Sequence, residues 1–310
     1  MSLAVTVLMG GPSAERAVSL DSGAAVAAAL RTAGHDVFTA DISPENLTAL
    51  DREPLDVVFP ALHGAFGEDG TLQEILDDRG IAYVGSDASA SSLAMDKAAA
   101  KRLFDIQGLP TPPSTVFPHK PNSVALDHVV RQLGYPLVVK PVAGGSSLNV
   151  TIAHDSRELQ AGMLACMMDG EPVLLERYID GREFTVGVLG DETLPVIELV
   201  VDGEHEFYDY DAKYSSETTR YLEVGGLPVE TLIRIRALAL AAHRALGCRD
   251  LSRVDLMLDD RGNPWLLEVN TLPGFTSHSL VPKAAARAGI SFPQLCDRLV
   301  RMAFTRGEDR

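Results

Sequence analysis

The chain has 310 residues, 46% of them hydrophobic, which is enough to fill two or three domain cores. Its 43 acidic residues against 27 basic ones give a formal charge of -16. That excess excludes a bulk nucleic-acid or anionic-membrane surface, since either partner needs a basic face. An anionic substrate must instead meet locally placed Lys, Arg or metal.

The cysteines Cys166, Cys248 and Cys296 are far apart and lack metal-ligand spacing, so they are expected as buried thiols of a cytoplasmic protein. No stretch approaches the ~20 uninterrupted apolar residues of a membrane helix. The apolar start, Met1 to Met9, has neither a basic flank nor a small-residue cleavage site and is expected as a first strand rather than a signal.

Taken in order, Leu3 to Leu8 is an apolar strand that breaks at Gly10-Gly11-Pro12-Ser13-Ala14-Glu15-Arg16, and Val18 to Ala33 is Ala-rich and helical. Strand, glycine loop and helix together point backbone N–H groups at an anion, although the loop is neither a Walker loop nor GxGxxG. Glu15 at its mouth favours an ammonium group, or else serves as a charge near the helix start. Val37 to Ala40 and Asp56 to Leu62 are further strands, the second apolar throughout as in covered parallel sheets, which predicts a parallel α/β first domain. That strand ends in His63-Gly64-Ala65-Phe66-Gly67-Glu68-Asp69-Gly70, and ligands collect at such strand ends.

Ser86 to Ser92 is a small-residue seam, Ala98 to Gln107 a helix, and Gly108 to Pro121, with five prolines, a rigid connector. Beyond a helix at Leu126 to Leu133, Leu137 to Pro141 is a strand that puts Lys140 at its exit. Residues 142–150 then form a Gly/Ser loop able to fold over phosphates through its own N–H groups. Ser156 to Met168 is an amphipathic helix, and Val173 to Ile179, Phe184 to Leu189 and Leu194 to Val201 are strands. Residues 207–217 are too polar and aromatic for a core strand and too long for a tight turn, which predicts a loop covering a site. Helices are expected at Leu232 to Leu246 and Phe292 to Phe304.

The most informative stretch is Leu251 to Asn270. Two apolar runs flank Asp259-Asp260-Arg261-Gly262-Asn263, which predicts an antiparallel hairpin. With the turn centred on Arg261-Gly262, Asp255 faces Glu268 and Arg253 faces Asn270, all on one side of the ribbon. Facing carboxylates repel unless a cation lies between them, and carboxylate plus amide oxygens suit Mg2+ or Mn2+. A salt-bridged hairpin on a solvated face is the plainer alternative, but Val254, Leu256, Leu258, Leu266 and Val269 make both strands largely apolar.

With these motifs assembled, the chain resembles a D-alanine:D-alanine ligase of the ATP-grasp superfamily along nearly its whole length. The resemblance rests on GGPSAER at 10–16, HGAFGEDG at 63–70, MDK at 95–97, RVD at 253–255 and EVNTLPGFTSHS at 268–279. It implies an α/β fold of ATP-grasp architecture, with a parallel-sheet N-terminal domain (1–93) followed by two α+β domains (94–181 and 182–310) that clasp the nucleotide. It also implies ligation of two D-alanines through an acyl phosphate for peptidoglycan precursors, in a cytoplasmic homodimer using ATP and two Mg2+ or Mn2+ ions.

On the same basis, Lys97 and Lys140 hold the α and β phosphates, and Ser146 lies in the loop over the γ phosphate. Glu176, Arg177 and Ile179 belong to the segment that pairs with adenine, and Glu183 meets the ribose. Asp255, Glu268 and Asn270 hold the metal. Glu15, supported by His63, pairs with the first ammonium group, and Ser279 and Leu280 receive the second carboxylate. Arg253 and the Gly274 N–H face the oxyanion. Tyr214, beside Lys213 in the omega loop, joins Glu15 and Ser146 in a latch. Asn149 in place of the usual glycine, Arg177 in place of lysine and the 221–226 segment depart from the family pattern. A different second substrate, D-lactate or D-serine, and a non-catalytic nucleotide-binding module remain the alternatives.

Overall fold

The computed structural model describes residues 1–145, 149–168, 170–201, 219–224, 226–276 and 278–308. The predicted parallel unit is present. Strands β1 (Ala4–Met9), β2 (Asp36–Asp41) and β3 (Val57–Pro60) form a parallel sheet in the order β2-β1-β3, with α1 (Arg16–Thr32) crossing between the first two. β3 is buried at every position, as a strand covered on both faces should be. Leu8, Val58 and Leu62 pack on one face with Leu72 and Leu76 of α2 (Thr71–Asp78).

The seam at 86–92 proves to be mostly helix. Asp87 accepts the Ala90 N–H at its side chain and starts α3 (Ala88–Met95), and Asp96 does the same for Ala99 at the start of α4 (Lys97–Ile106). Ala and Ser masked a periodicity that the two caps reveal. The proline-rich connector likewise contains a strand, β4 (Ser114–Phe117), which pairs with a later strand where the prolines stop. The helix α5 (Ser123–Leu133), strands β5 (Leu137–Pro141) and β6 (Thr151–Ala153), helix α6 (Ser156–Met167) and strand β7 (Val173–Arg177) complete a unit whose sheet runs β4-β7-β5-β6. One core covers this sheet, with Val129 from α5 and Leu159, Met163 and Cys166 from α6 against Leu137, Val139 and Leu175.

The third sheet runs β11-β10-β8-β12-β13, with β9 also paired to β8. It is built from β8 (Gly181–Leu189), β9 (Glu192–Thr193), β10 (Ile197–Val201), β11 (Thr219–Glu223), β12 (Leu251–Asp259) and β13 (Pro264–Asn270). The long helix α7 (Val229–Ala245) packs Ile235, Leu238, Ala239 and Ala242 on Val254, Leu256 and Leu266, which leaves the opposite face of the hairpin for polar groups. Two helices follow, α8 (Leu280–Arg287) and α9 (Phe292–Glu308). The core that holds Leu3, Val5, Val57 and Phe59 of the first sheet also holds Leu295, Leu299 and Ala303 of α9, so sequence-distant ends of the chain share one interior. All three cysteines are free and buried, and burial pushes the Cys166 thiol up to about 11 and those of Cys248 and Cys296 up to about 12.

Candidate active site

The hairpin has the expected pairing at its polar positions: Arg253 opposes Asn270 and Asp255 opposes Glu268. It reaches that register by an unexpected route. The turn closes with Asp259 N–H on Asn263 O at 3.1 Å and Leu258 opposite Pro264, one residue earlier than a turn centred on Arg261-Gly262. Continued unbroken, that register would put Leu267 opposite Asp255. A bulge between the Asp255/Glu268 and Leu256/Leu266 pairs absorbs the extra residue and restores Glu268 to the side facing Asp255.

On that face Arg253 donates through Nε to Asp255 Oδ1 (3.0 Å) and through Nη2 to Oδ2 (2.8 Å), while the Thr185 hydroxyl, from the paired position on β8, donates to Oδ1 at 2.6 Å. Asp255 is buried, and with Arg253 Nε also 3.1 Å from Oδ2 the roughly four acceptor positions of its carboxylate are all engaged, so a cation there would take over contacts that Arg253 now makes. Asn270 Oδ1 accepts the Leu272 N–H at 2.9 Å and retains a second lone pair. Among the described residues, no three His, Cys, Asp or Glu side chains converge. The donor set is therefore two carboxylates and an amide oxygen, which fits a hard cation such as Mg2+ or Mn2+.

Beside the hairpin lies a cleft of about 840 Å3, lined by Lys97, Lys140, the 176–179 segment, Glu183, Asp255 and Glu268. Lys97 is held at both ends. Its N–H donates to Val142 O at 3.1 Å, and its Nζ reaches Gly144 O at 2.5 Å and Glu268 Oε2 at 3.8 Å, which ties the Gly/Ser loop to the hairpin. Lys140 and Glu176 lie diagonally on β5 and β7, with Nζ 2.9 Å from Oε1.

The sequence reading missed Lys101. It is buried one turn after Lys97 on α4, with Nζ 2.5 Å from Glu176 Oε2, off hydrogen-bond geometry, and 2.6 Å from the Thr111 hydroxyl. Burial pushes the Glu176 carboxyl upward, but the two ammonium groups together outweigh it and hold it below the ordinary range. Burial likewise lowers Lys101 more than Glu176 raises it. The four-residue spacing of Lys97 and Lys101 was the available signal, since such residues share a helix face.

The Arg177 guanidinium is turned toward the end of α5, donating to Leu133 O at 3.3 Å and Gln132 O at 3.4 Å, while Arg177, Tyr178 and Ile179 all line the cleft. Asn149, where the resemblance implies glycine, has φ +58°, a left-handed conformation that Asn tolerates better than most side chains.

A second cluster adjoins the first at Gly64. Glu15 occupies the N-cap of α1, and its Oε2 lies 3.0 Å from the position a Cβ on Gly64 would take. His63 is buried, its Nε2 3.2 Å from the Ser22 hydroxyl and its Nδ1 3.5 Å from Glu68 Oε1. Ser22 also accepts the Phe275 N–H at 3.3 Å, so one buried hydroxyl joins His63 to the loop after β13. In that loop a Cβ on Gly274 would stand 2.8 Å from Ser279 Oγ and 3.8 Å from His63 Cε1, which makes glycine the residue that fits. The Ser279 Oγ accepts the Thr276 N–H at 2.9 Å. The Leu280 side chain is buried in the shared core, which leaves its main chain, at the start of α8, to meet a ligand. Ser146, Lys213 and Tyr214 lie outside the described residues.

With this geometry in hand, comparison with known proteins is informative. The family model of the D-ala D-ala ligase C-terminus matches residues 103–301, and that of the D-ala D-ala ligase N-terminus matches residues 45–86. The chain belongs to the D-alanine–D-alanine ligase family. It is 49% identical over 305 residues to a D-alanine–D-alanine ligase of Marinobacter nauticus, covering 98% of this chain and 92% of that one. The D-alanine–D-alanine ligase of Bacillus anthracis solved in complex with ATP superposes with a TM-score of 0.85 at 34% identity, covering 100% and 99% of the two chains. The VanG D-Ala:D-Ser ligase of Enterococcus faecalis superposes with a TM-score of 0.84 at 31% identity, covering 98% and 100%. The ligase family and its ATP-grasp fold thus agree with the three-sheet architecture and the cleft between the later two sheets. Among the described residues, no helix is long and apolar enough to cross a membrane.

Proposed function

We propose that the protein joins two molecules of D-alanine to D-alanyl-D-alanine at the expense of ATP, supplying a peptidoglycan precursor in the cytoplasm as a homodimer. The observation that carries this reading is the register placing Asp255 against Glu268, with Glu268 3.8 Å from the Lys97 ammonium, at the wall of a cleft that also holds Lys140 and Glu176.

A carboxylate is a poor acyl donor because its charge is delocalised and its oxygen leaves badly. Transfer of the γ-phosphoryl group makes it an acyl phosphate, and the amine of the second amino acid then displaces phosphate. In this reading Lys97 and Lys140 draw in the phosphates, Glu176 and the main chain to Ile179 take the adenine, and Glu183 takes the ribose. Asp255, Glu268 and Asn270 would hold Mg2+ or Mn2+, which when bound offsets the negative charge of two anionic reactants. Glu15, backed by His63, orients the first ammonium group. Arg253 and the Gly274 N–H face the developing oxyanion, and Ser279 with the Leu280 N–H receives the second carboxylate. Ser146, Lys213 and Tyr214 close over the reactants. Residues 1–93, 94–181 and 182–310 serve as three domains around the reaction, the first and third packed on one core.

Purified protein with ATP, Mg2+ and D-alanine should release ADP and phosphate with stoichiometric dipeptide. L-alanine, D-lactate and D-serine serve as second-substrate controls. Mixed products with D-serine or D-lactate in preference to the D-alanine dipeptide would reassign the second substrate, and ADP release without any amino acid would overturn the ligase reading.

A further inference from the structure

The two lysines that flank Glu176 are not equivalent. Lys140 faces the cleft, whereas Lys101 points away from it into the connector between the sheets. There its ammonium donates to Thr111 Oγ1 at 2.6 Å, and Thr111 donates onward to Leu266 O at 2.9 Å. The direction of that chain is fixed, because a threonine hydroxyl has one proton and it goes to the carbonyl. Leu266 is the residue just before the bulge that sets Glu268 opposite Asp255, and its own N–H is taken by Pro110 O at 2.8 Å. The connector therefore grips both polar groups of Leu266. It also accepts the Arg177 N–H at Pro113 O, 2.9 Å, on the other side. Lys101, Thr111, Glu176 and Lys140 are all buried, so the chain is shielded from competing water.

We propose that Lys101 and Thr111 are positioning residues that couple the adenine end of the cleft to the metal-binding end, through the buried chain Lys140–Glu176–Lys101–Thr111–Leu266. This deepens the ligase reading and rests on it. A shift of the Glu176 carboxylate on meeting the base pulls on Lys101, and Lys101 through Thr111 holds the bulge that presents Glu268. Conversely, a bulge fixed by a bound cation holds Glu176 ready for the base.

The test is calorimetric binding of adenylyl imidodiphosphate, without amino acid, in EDTA and in Mg2+, the ratio of the two affinities being the metal enhancement. Thr111→Val keeps the shape, removes the hydroxyl and leaves Lys101 on Glu176. It should leave the affinity in EDTA within twofold of wild type and cut the metal enhancement at least fivefold, and Thr111→Ser should restore it. Lys101→Met should lower both the affinity in EDTA and the enhancement at least fivefold. It should still fold, because it leaves a neutral Lys140–Glu176 pair. An enhancement within twofold of wild type in both Thr111→Val and Lys101→Met would overturn the coupling. Failure of the wild-type protein to bind the nucleotide at all would instead overturn the ligase reading, and the coupling with it.

Discussion

The two ends of the cleft hold their polar groups by different means. At the nucleotide end, charges sit on paired strands and a helix and neutralise one another: Arg253 and Thr185 on Asp255, Lys140 and Lys101 on Glu176. At the amino-acid end, Glu15, His63, Gly274 and Ser279 sit in loops or at helix starts, and small hydroxyls such as Ser22 and Ser13 tie those loops together. Charge fixed on a sheet costs little reorganisation when an anion arrives. Loops tied by single hydroxyls can adjust to a small zwitterion, but each tie then matters individually.

The largest effect should come from the strand-borne end. Glu268→Gln keeps the shape and the Lys97 contact distance but removes a carboxylate, and kcat should fall by about 10³-fold or more with D-alanine KM little changed, measured by coupled ADP release. A comparable loss confined to D-alanine KM would erase the contrast between the two ends.

A second measurement concerns the back of the same hairpin. His243 on α7 is buried with Nδ1 2.7 Å from the Ser252 hydroxyl of β12, and burial lowers its pKa to about 4 from 6.5. The unfolded chain therefore takes up this proton first as pH falls. The neutral ring's contribution is complete above about pH 6.5 and is lost progressively down to about pH 4, where it should total about 3 kcal/mol. Urea midpoints between pH 7 and 4 should show this loss, and His243→Gln should flatten that part of the profile.

A smaller effect is expected at the loop-borne end. Ser22→Ala strands the buried Phe275 N–H, at a cost of about 1–3 kcal/mol in urea unfolding, and frees His63. D-alanine KM should rise several-fold while ATP KM holds, and a rise in ATP KM of equal size would show that the two ends are not separable. The smallest effect belongs to Arg177→Lys. The guanidinium serves exposed carbonyls at the end of α5, so ATP KM should stay within about twofold and stability within about 0.5 kcal/mol.

How much of this was legible in the sequence follows the same division. The hairpin announced its pairing because period-2 alternation and a glycine turn are local signals. Even so, the pairing came out right through a bulge at Leu267 that no local signal marks. The parallel first sheet was legible from β3's unbroken apolar run. Helices α3 and α8 were not, since Ala, Ser and Pro dilute their periodicity. Lys101, Thr185 and Ser22 escaped because their partners, Glu176, Asp255 and Phe275, are contributed by other elements far along the chain, and only the fold brings them within reach. Asn149 stood out as a departure from glycine, and its left-handed backbone gives the reason such a replacement is accommodated.

The interior shared by the first sheet and α9 has a consequence for biosynthesis. Leu3, Val5 and Phe59 emerge from the ribosome long before Leu295, Leu299 and Ala303, yet they bury against them. The nascent first sheet must wait, with an apolar strip uncovered, for a helix that is translated long after it. Chaperone occupancy during translation should therefore persist on this early segment until α9 clears the exit tunnel, and removing α9 should leave a sticky product rather than a smaller functional one.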